Sequence, residues 1–330
     1  MFAEGDFTAT YKFALLTSLA DLALQRGHDD GRELVLSIRD IADRFVELYW
    51  RHATPYGTDR PDTQPDTLVQ NMGAQAAVIS AIVEFRRLHR VTHLTKAKVL
   101  DSFSGLISQV ATVVAAQPLN YLQNFGGGTD PFLYERAGRG LIRLKPGVTY
   151  CLRRFYPFIQ QLCRSHWVGH IKSNRRNHPI LGRADDLEDF LFSTARQSLT
   201  ALGNELRKLD GLRCFYCGEG LKEADVDHFV PFSLYPRDMA ANFVLAHPSC
   251  NRSKSDTLAA KPHLERWLER IDLKQDQLAE IGSLTGIMGD RDTLSKVAGW
   301  AYSNAADCHA RAWVSPTCYE TIDTSYVRLF

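Results

Sequence analysis

Two pairs of metal-ligand residues constrain this chain more than any other feature. Cys214-x-x-Cys217 is followed, after residues 218–246, by His247-x-x-Cys250. Each pair can sit on a tight turn, and two such turns facing each other form the closed tetrahedral site typical of structural zinc. A module this short buries little apolar surface, so metal ligation would supply its folding free energy. We therefore predict that Cys214, Cys217, His247 and Cys250 bind Zn²⁺; the alternative is two pairs of buried residues without an ion.

The rest of the composition is ordinary for a globular protein. The 330 residues are 45% hydrophobic and 23% charged, with a formal net charge of +1, and are enough for two domains. The longest apolar run, residues 110–116, is far shorter than the ~20 residues that span a bilayer. The N-terminus lacks the pattern of a secretory signal. We therefore expect a cytoplasmic, reducing location without membrane association, in which the other four cysteines are free thiols.

Helical periodicity dominates the chain outside the metal-ligand region. Apolar residues recur at close to helical spacing in residues 7–52, 67–90, 97–122, 152–171 and 262–313. Residues 132–134 and 140–144 are typical of a β-hairpin, residues 55–65 of a polar loop, and Asp185-Asp186 of the start of a helix that runs to about Leu209. The fold class predicted is mainly α with a small α+β module.

These patterns predict three parts. Residues 1–184 would form a helical N-terminal domain, with a β-hairpin, that senses or positions. Residues 185–260 would form the zinc-stabilised module with a lead-in helix. Residues 261–330 would form a C-terminal helical extension that packs on the module.

A second set of polar residues is interleaved with the zinc ligands. Asp227 and His228 lie in a predicted strand that ends at Pro231, Asn242 opens a second predicted strand, and Asn251 lies at the start of a predicted helix. Taken singly, each has an ordinary explanation as a surface carboxylate, a structural histidine, or a turn or capping amide. Together inside one zinc-framed module, they indicate hard-metal ligands and a base.

The order of these motifs closely resembles that of HNH endonucleases. Cys-x-x-Cys is followed by Asp-His-x-x-Pro, then Asn-x-x-Leu, then Cys-Asn-Arg-x-Lys, all within residues 214–254. The same order occurs in the HNH domains of RNA-guided DNA-cutting effectors and of several restriction enzymes. The resemblance implies a ββα-metal fold of the treble-clef type and a Mg²⁺- or Mn²⁺-dependent DNA endonuclease, similar to bacterial restriction or anti-phage nucleases.

The resemblance also implies a role for each of four residues. Asp227 and Asn251 would bind the catalytic Mg²⁺ through oxygen atoms. His228 would be the general base that takes a proton from water. Asn242 would hold that imidazole in its useful orientation through its backbone. The ion would stabilise charge on the phosphorane and on the departing 3′ oxygen.

Basic residues outnumber acidic residues in two places that could contact DNA. Arg252 and Lys254 lie on the helix that carries Asn251, where they could meet phosphates. Residues 151–184 contain a series of Lys and Arg residues and no acidic residue. From this stretch we select Lys172, Arg175 and Arg176 as DNA-binding residues; a solvated charged face is the alternative in both places.

Two other functions stay open from the sequence. The chain could be a non-catalytic, zinc-stabilised protein that binds DNA or a partner. It could also be an enzyme that stays silent until a partner protein or ligand binds the N-terminal domain. A homodimer is a further possibility, because cutting both strands usually takes two active sites.

Overall fold

The computed structural model describes residues 9–57, 65–125, 127–182 and 186–330. It divides the chain into two compact units, Met1–Ser193 and Thr194–Phe330, called here the N-terminal and C-terminal units. The chain is mainly helical with small β elements, which confirms the predicted fold class. The division at residues 184 and 260 stays a prediction. Asp185, part of the 55–65 loop and part of the 151–184 basic stretch lie outside the described residues.

The N-terminal unit consists mostly of helices. In chain order it contains α1 (Tyr11–Arg26), β1 (Leu34–Ser37), α2 (Ile38–His52), α3 (Ala77–His89), α4 (Leu94–Lys98), α5 (Phe103–Ala116), α6 (Pro118–Tyr121), β2 (Asn124–Phe125), β3 (Gly128–Thr129), β4 (Tyr134–Arg136), β5 (Leu141–Leu144), α7 (Val148–Arg154), α8 (Tyr156–Ser173), α9 (His178–Leu181) and α10 (Leu187–Phe192). None of the helices in the described parts of either unit is both long and apolar enough to cross a bilayer.

Helix α1 forms the centre of this unit. Every residue of α1 except Arg26 is buried, and the helix packs against α2, α7 and α8. A helix covered on all sides must satisfy its polar side chains internally. Asp21 does so by accepting hydrogen bonds from the Tyr156 hydroxyl (2.6 Å) and Gln160 Nε2 (3.0 Å).

The predicted β-hairpin is present, but it belongs to a three-stranded sheet. Strands β4 and β5 pair antiparallel, and β1 adds to the other edge of β5 in the order β1-β5-β4. The sequence placed Leu34 in a helix, which is wrong, because Leu34–Ser37 pair with β5 instead. Helix α2 begins only at Ile38, where the Ser37 hydroxyl accepts the Asp40 amide hydrogen bond as an N-cap.

His52, near the end of α2, is fully buried among aromatic rings. Its Nε2 donates to the Leu191 carbonyl at 3.0 Å, and the rings of Tyr49, Trp167 and Phe192 surround it edge-on. Its Nδ1 is buried and has no hydrogen-bond partner among the described residues. Burial lowers the pKa of His52 to about 3, so the imidazole is neutral in the folded protein.

This neutral histidine predicts an acid-sensitive N-terminal unit. An unfolded chain takes up a proton on His52 near pH 6.5, whereas the folded unit does so only near pH 3. Stability is therefore complete above pH 6.5 and falls as the pH drops, by about 1.4 kcal/mol per pH unit. We expect His52→Gln to flatten this dependence, measured by urea titrations equilibrated at pH 7 and 5 and read by pulse labelling of α2 amides.

The exposed His28 supplies a matched control for this comparison. His28→Gln should leave the pH dependence as it is in the unmodified protein. Equal slopes for His52→Gln and the unmodified protein would contradict a neutral, buried His52.

The C-terminal unit contains the metal-ligand region. Its elements are α11 (Arg196–Asp210), β6 (Asp225–His228), β7 (Phe243–Ala246), α12 (Pro248–Lys254), α13 (Lys261–Leu273), α14 (Gln275–Thr285), α15 (Arg291–Asp307), β8 (Arg311–Ser315), β9 (Cys318–Thr321) and α16 (Thr324–Val327). Strands β6 and β7 form one antiparallel pair, and β8 and β9 form another.

The predicted lead-in helix is interrupted. Instead of one helix to Leu209, α10 ends at Phe192 and α11 begins at Arg196, with extended backbone at Ser193 and Ala195. Helix α10 packs on α2 and α8, whereas α11 packs on β6, β7 and α14. The two helices therefore belong to different packed units.

The C-terminal residues are built into the metal-ligand module. Trp313 of β8 donates its backbone N–H to Leu258 O and accepts from Ala260 N, both at 2.8 Å. Its indole N–H donates to the Ser253 hydroxyl at 3.0 Å, and its ring meets that of Tyr216 edge-on at 5.2 Å. Strand β8 therefore supports the residues around α12.

Candidate functional site: a zinc knuckle beside a histidine–carboxylate pair

The four predicted zinc ligands converge. One ligand atom from each of Cys214, Cys217, His247 and Cys250 lies within 4.8 Å of the other three. The first pair lies on a turn closed by a hydrogen bond from Gly218 N to Cys214 O (2.9 Å), where Gly218 has a φ of 78° that favours glycine. The second pair lies at the start of α12, with His247 as its N-cap residue. The structure therefore brings together the four residues that the sequence predicts as zinc ligands.

The imidazole of His247 is oriented for metal binding. Its Nδ1 lies 3.2 Å from Cys217 Sγ, while its Nε2 lies 3.1 Å from the Gly220 carbonyl. A carbonyl can only accept, so Nε2 carries the hydrogen and Nδ1 keeps its lone pair toward the cluster. Such an outer hydrogen bond is the usual way in which a ligating histidine is fixed.

The electrostatics of the thiols also favour a cation. Although burial opposes it, the backbone N–H groups of Cys217, His247 and Tyr216 lower the pKa of Cys214 to about 7. Burial and the neighbouring thiolates raise the pKa of Cys250 to about 12. Three thiolates so close together repel one another unless a cation lies between them. A set of three sulfurs and one imidazole nitrogen suits tetrahedral Zn²⁺, so the cluster is compatible with a structural zinc site.

Strand β6 presents its polar side chains on two faces. Asp227 pairs with Val244 and His228 with Phe243 of β7. Because side chains alternate along a strand, Asp225 and Asp227 point to one face and His228 to the other.

Helix α12 lies against the carboxylate face of β6. Asn251 Nδ2 donates to Asp225 Oδ2 at 3.0 Å, and Lys254 Nζ lies 3.1 Å from Asp227 Oδ2. The structure thus places the two predicted Mg²⁺ ligands, Asp227 and Asn251, on facing elements, with Asp225 beside Asn251.

Asp227 is held in a buried polar network. Its residue exposure is only 7%, its Oδ2 accepts a hydrogen bond from the Tyr216 hydroxyl, and Lys254 Nζ forms an ion pair with the same oxygen at 3.1 Å. Lys254 also donates to the His228 carbonyl at 2.9 Å. These contacts offset the cost of burying the carboxylate and fix its position.

Lys254 does not have the role that the sequence suggested. It was predicted to contact DNA phosphates, but its exposure is 0%. Burial lowers the pKa of Lys254, and the charge of Asp227 opposes that change. Its ammonium group is an internal partner of Asp227 and cannot reach a phosphate outside the protein.

His228 is oriented by a carboxylate that the sequence did not reveal. Its Nε2 lies 2.6 Å from Asp238 Oδ1, and the other carboxylate oxygen of Asp238 accepts from Thr194 N at 3.2 Å. Burial alone would raise the pKa of Asp238, but the hydrogen bond and charge of His228 hold it below its usual range. With Nε2 engaged, Nδ1 of the partly exposed imidazole is the nitrogen left to accept a proton.

Asn242 acts on the backbone and not on the imidazole. Its side-chain amide accepts from Val230 N (2.8 Å) and donates to Val230 O (2.9 Å), and its own carbonyl accepts from Phe229 N (2.8 Å). It therefore holds the segment that follows His228. The side-chain contact with the imidazole is made by Asp238, and the predicted role of Asn242 in orienting His228 through backbone stays a prediction.

The remaining predicted DNA-binding residues lie on the surface. Arg252 is exposed on α12. Lys172, Arg175 and Arg176 are exposed at the end of α8 and in the turn that follows it in the N-terminal unit, where Arg176 donates to the Gly73 carbonyl. Their contact with DNA stays a prediction.

Comparison with known families covers both units. Residues 4–189 match the model of a domain of unknown function, DUF8808, which is more than half of the chain. The chain belongs to the DUF8808 family. Residues 214–260 match the model of the HNH endonuclease. The two turns that carry Cys214, Cys217, His247 and Cys250, here called the zinc knuckle, therefore form an HNH module together with β6, β7 and α12. The comparison with curated proteins gave no match.

The two sets of ligands in the HNH module should respond differently to substitution. We expect Cys217→Ser to lose bound zinc and to unfold the module, because ligation supplies folding free energy. Asn251→Ala should keep its zinc, since its amide lies outside the cluster. Zinc-to-protein stoichiometry and the melting temperature measure both effects.

Cys318→Ser is a control for the loss of a thiol. Cys318 is exposed on β9 and lies outside the metal cluster. This variant should keep its zinc and its melting temperature. Equal zinc loss in Cys217→Ser and Asn251→Ala would mean that the structural and catalytic ligands had been confused.

Proposed function

We propose that this DUF8808-family chain is a metal-dependent DNA endonuclease, whose HNH module cleaves phosphodiester bonds with His228 as general base. The observation that carries the proposal is the His228–Asp238 pair beside a strand face bearing two carboxylates. A buried carboxylate that fixes one imidazole nitrogen leaves the other as a proton acceptor. A module that only binds DNA has no need of this arrangement.

The residues on the carboxylate face suit a hard cation such as Mg²⁺ or Mn²⁺. Tyr216 and Lys254 occupy Oδ2 of Asp227, whereas Oδ1 has only a longer contact with Lys254 at 3.5 Å. The side-chain Nδ2 of Asn251 donates to Asp225, which leaves the side-chain oxygen Oδ1 to bind a metal ion. Asp227 and Asn251 would hold the ion, with Asp225 as a further carboxylate beside Asn251. When bound, the ion would supply charge stabilisation at the phosphate and the departing oxygen.

The protein groups then divide the remaining work. His228 would take a proton from water at Nδ1, and Asp238 would stabilise the resulting imidazolium through Nε2. Asn242 would keep the end of β6 in register, since it fixes both backbone groups of Val230. Arg252 on α12 would contact the DNA backbone.

The proposed biological role rests on analogy with the bacterial HNH nucleases that the module resembles. The DUF8808 domain would set the target or the trigger, with Lys172, Arg175 and Arg176 as DNA contacts, and the HNH module would cut. This arrangement suits a bacterial restriction or anti-phage nuclease, with a homodimer or a partner bound through the N-terminal unit.

One observation favours a second candidate, a non-catalytic zinc-stabilised binding module. The charge of Asp227 is already matched by a fully buried Lys254. A carboxylate paired in this way could serve the fold alone. Binding of DNA without any metal-dependent cleavage would select this candidate.

The first test is plasmid nicking with Mg²⁺ or Mn²⁺ against EDTA. We expect nicks bearing a 5′-phosphate in the presence of the metal. His228→Ala should reduce the rate by about 10²- to 10⁴-fold, which is the usual contribution of general acid–base catalysis. Zinc content and folding should not change, because the imidazole lies outside the zinc cluster.

The exposed His28 again supplies the control. His28→Ala should cut at the unmodified rate. The base assignment would be wrong if His228→Ala also cut at that rate. The rate at which the full chain alone cleaves DNA should be compared for plasmid, phage and modified DNA, because the trigger is part of the proposal.

The role of Asp238 predicts a separate effect. We expect Asp238→Asn to lower kcat by about 10- to 10³-fold without changing KM for DNA, because the amide cannot stabilise the imidazolium as a carboxylate does. Nitrogen-15 NMR of histidine-labelled protein should show His228 protonated on Nε2 in the unmodified chain.

Asp276→Asn, at an exposed carboxylate of α14, is the matched control and should leave kcat unchanged. A purely structural role for Asp238 would instead lower the melting temperature without shifting the histidine tautomer or kcat of the folded fraction.

A further inference from the structure

A cavity of about 300 Å³ opens on the C-terminal unit beside the zinc knuckle. Its walls come from the end of α11, the irregular segment 213–215, β7, and α13 with Lys274 that follows it. Phe215 and Leu245 supply an apolar part of its lining. Its charged lining residues are Asp210, Arg213, Arg266, Glu269, Arg270 and Lys274, and the predicted zinc ligand Cys214 also lies in its wall.

Cationic groups outnumber carboxylates in this lining, four to two. Asp210 is shared by two of the cations, since it accepts from Arg270 Nη2 at 2.7 Å and from Lys274 Nζ at 2.8 Å. Burial alone would raise the pKa of Asp210, but these two partners hold it below its usual range. Glu269 is exposed. Even when the Cys214 thiolate is counted with the two carboxylates, the four cations leave the lining with an excess of positive charge.

Two of the arginines are held by neutral groups. Arg213 Nη1 donates to the Gly218 carbonyl at 3.1 Å, and Arg266 Nη1 donates to the Phe215 carbonyl at 2.6 Å. Across the described part of the chain, neither arginine forms an ion pair, and both are exposed. Each guanidinium thus has a backbone contact but no carboxylate partner among the described residues.

A buried hydrogen-bond donor in the same wall also favours a bound anion. Arg270 Nη1 is buried and has no hydrogen-bond acceptor among the described residues. The wall thus has more N–H donors than acceptors, which is the composition expected of an anion site.

We propose that this cavity binds a phosphate group of nucleic acid. The guanidinium groups of Arg213 and Arg266 would donate to the phosphate oxygens, and their anchored geometry suits bidentate contacts. The proposal takes nucleic acid as ligand from the proposed function, but it requires no cleavage. It adds a phosphate site to the HNH module on residues outside the strand and helix that carry Asp227 and Asn251.

The experiment uses the full chain with His228→Ala, so that bound DNA is not cut. Binding of a short fluorescein-labelled duplex is measured by anisotropy over a series of salt concentrations. We expect Arg213→Gln with Arg266→Gln to weaken binding about tenfold and to reduce the slope of log K against log salt by about 1 to 2, one for each lost phosphate contact.

A control pair removes the same charge elsewhere in the C-terminal unit. Lys296 and Arg328 are exposed and lie outside the cavity lining. Lys296→Gln with Arg328→Gln should leave the salt slope unchanged. An equal effect in both double variants, or no effect in the cavity variant, would overturn the proposal.

Competitors distinguish two sources of the phosphate. Displacement by covalently closed plasmid indicates an internal phosphodiester of the backbone. Displacement only by a 5′-phosphorylated duplex or by AMP indicates a terminal phosphate. Either result supports the site if it depends on Arg213 and Arg266, and competition that the cavity variant retains in full contradicts it.

Folding of the cavity variants is checked by zinc content and melting temperature. If the double variant loses zinc, Arg213→Gln alone is compared with Lys296→Gln, and the expected loss of slope is about 1. Plasmid nicking by the unmodified chain is measured separately. A protein that binds phosphate here but never cuts would keep this site and refute the proposed nuclease.

Discussion

The repulsion among three converging thiols is the constraint on which the C-terminal unit depends. Cys214, Cys217 and Cys250 lie so close that burial and mutual charge raise the pKa of Cys250 to about 12. A divalent cation would remove that penalty and would tie the knuckle to the start of α12. The knuckle is joined to β7 by the hydrogen bond from Phe215 N to Leu245 O. Ligation would therefore fix the two strands relative to the helix.

The same knuckle positions the candidate catalytic residues. Tyr216 lies between two zinc ligands in sequence and donates its hydroxyl to Asp227, while its ring packs on Trp313. Lys254, four residues after a third ligand, completes the network around Asp227. Trp313 belongs to β8 and lies outside residues 214–260, which match the HNH model. Residues beyond that match therefore also support the Asp227 carboxylate. The four candidate zinc ligands and the carboxylate face therefore belong to one continuous set of contacts.

The parts of the fold that the sequence predicted are those set by local spacing. The zinc pairs, the helical periods and the hairpin of β4 and β5 all depend on residues close together in the chain. The errors concern long-range contacts. Leu34 was placed in a helix because its pairing with Leu144 is invisible to periodicity. The sequence predicts an unbroken lead-in helix because the packing of α10 and α11 on different elements is invisible to periodicity.

Short motifs are enough to identify the four candidate zinc ligands and the HNH module, because the bonding geometry of a metal requires ligands at fixed spacings. Three roles became visible only in the folded chain: Lys254 is an internal partner of Asp227, Asn242 holds backbone, and Asp238 orients His228. Those roles depend on which side chains are brought together and excluded from water. A charged residue looks the same in sequence whether it faces solvent or a buried carboxylate, and only packing distinguishes the two.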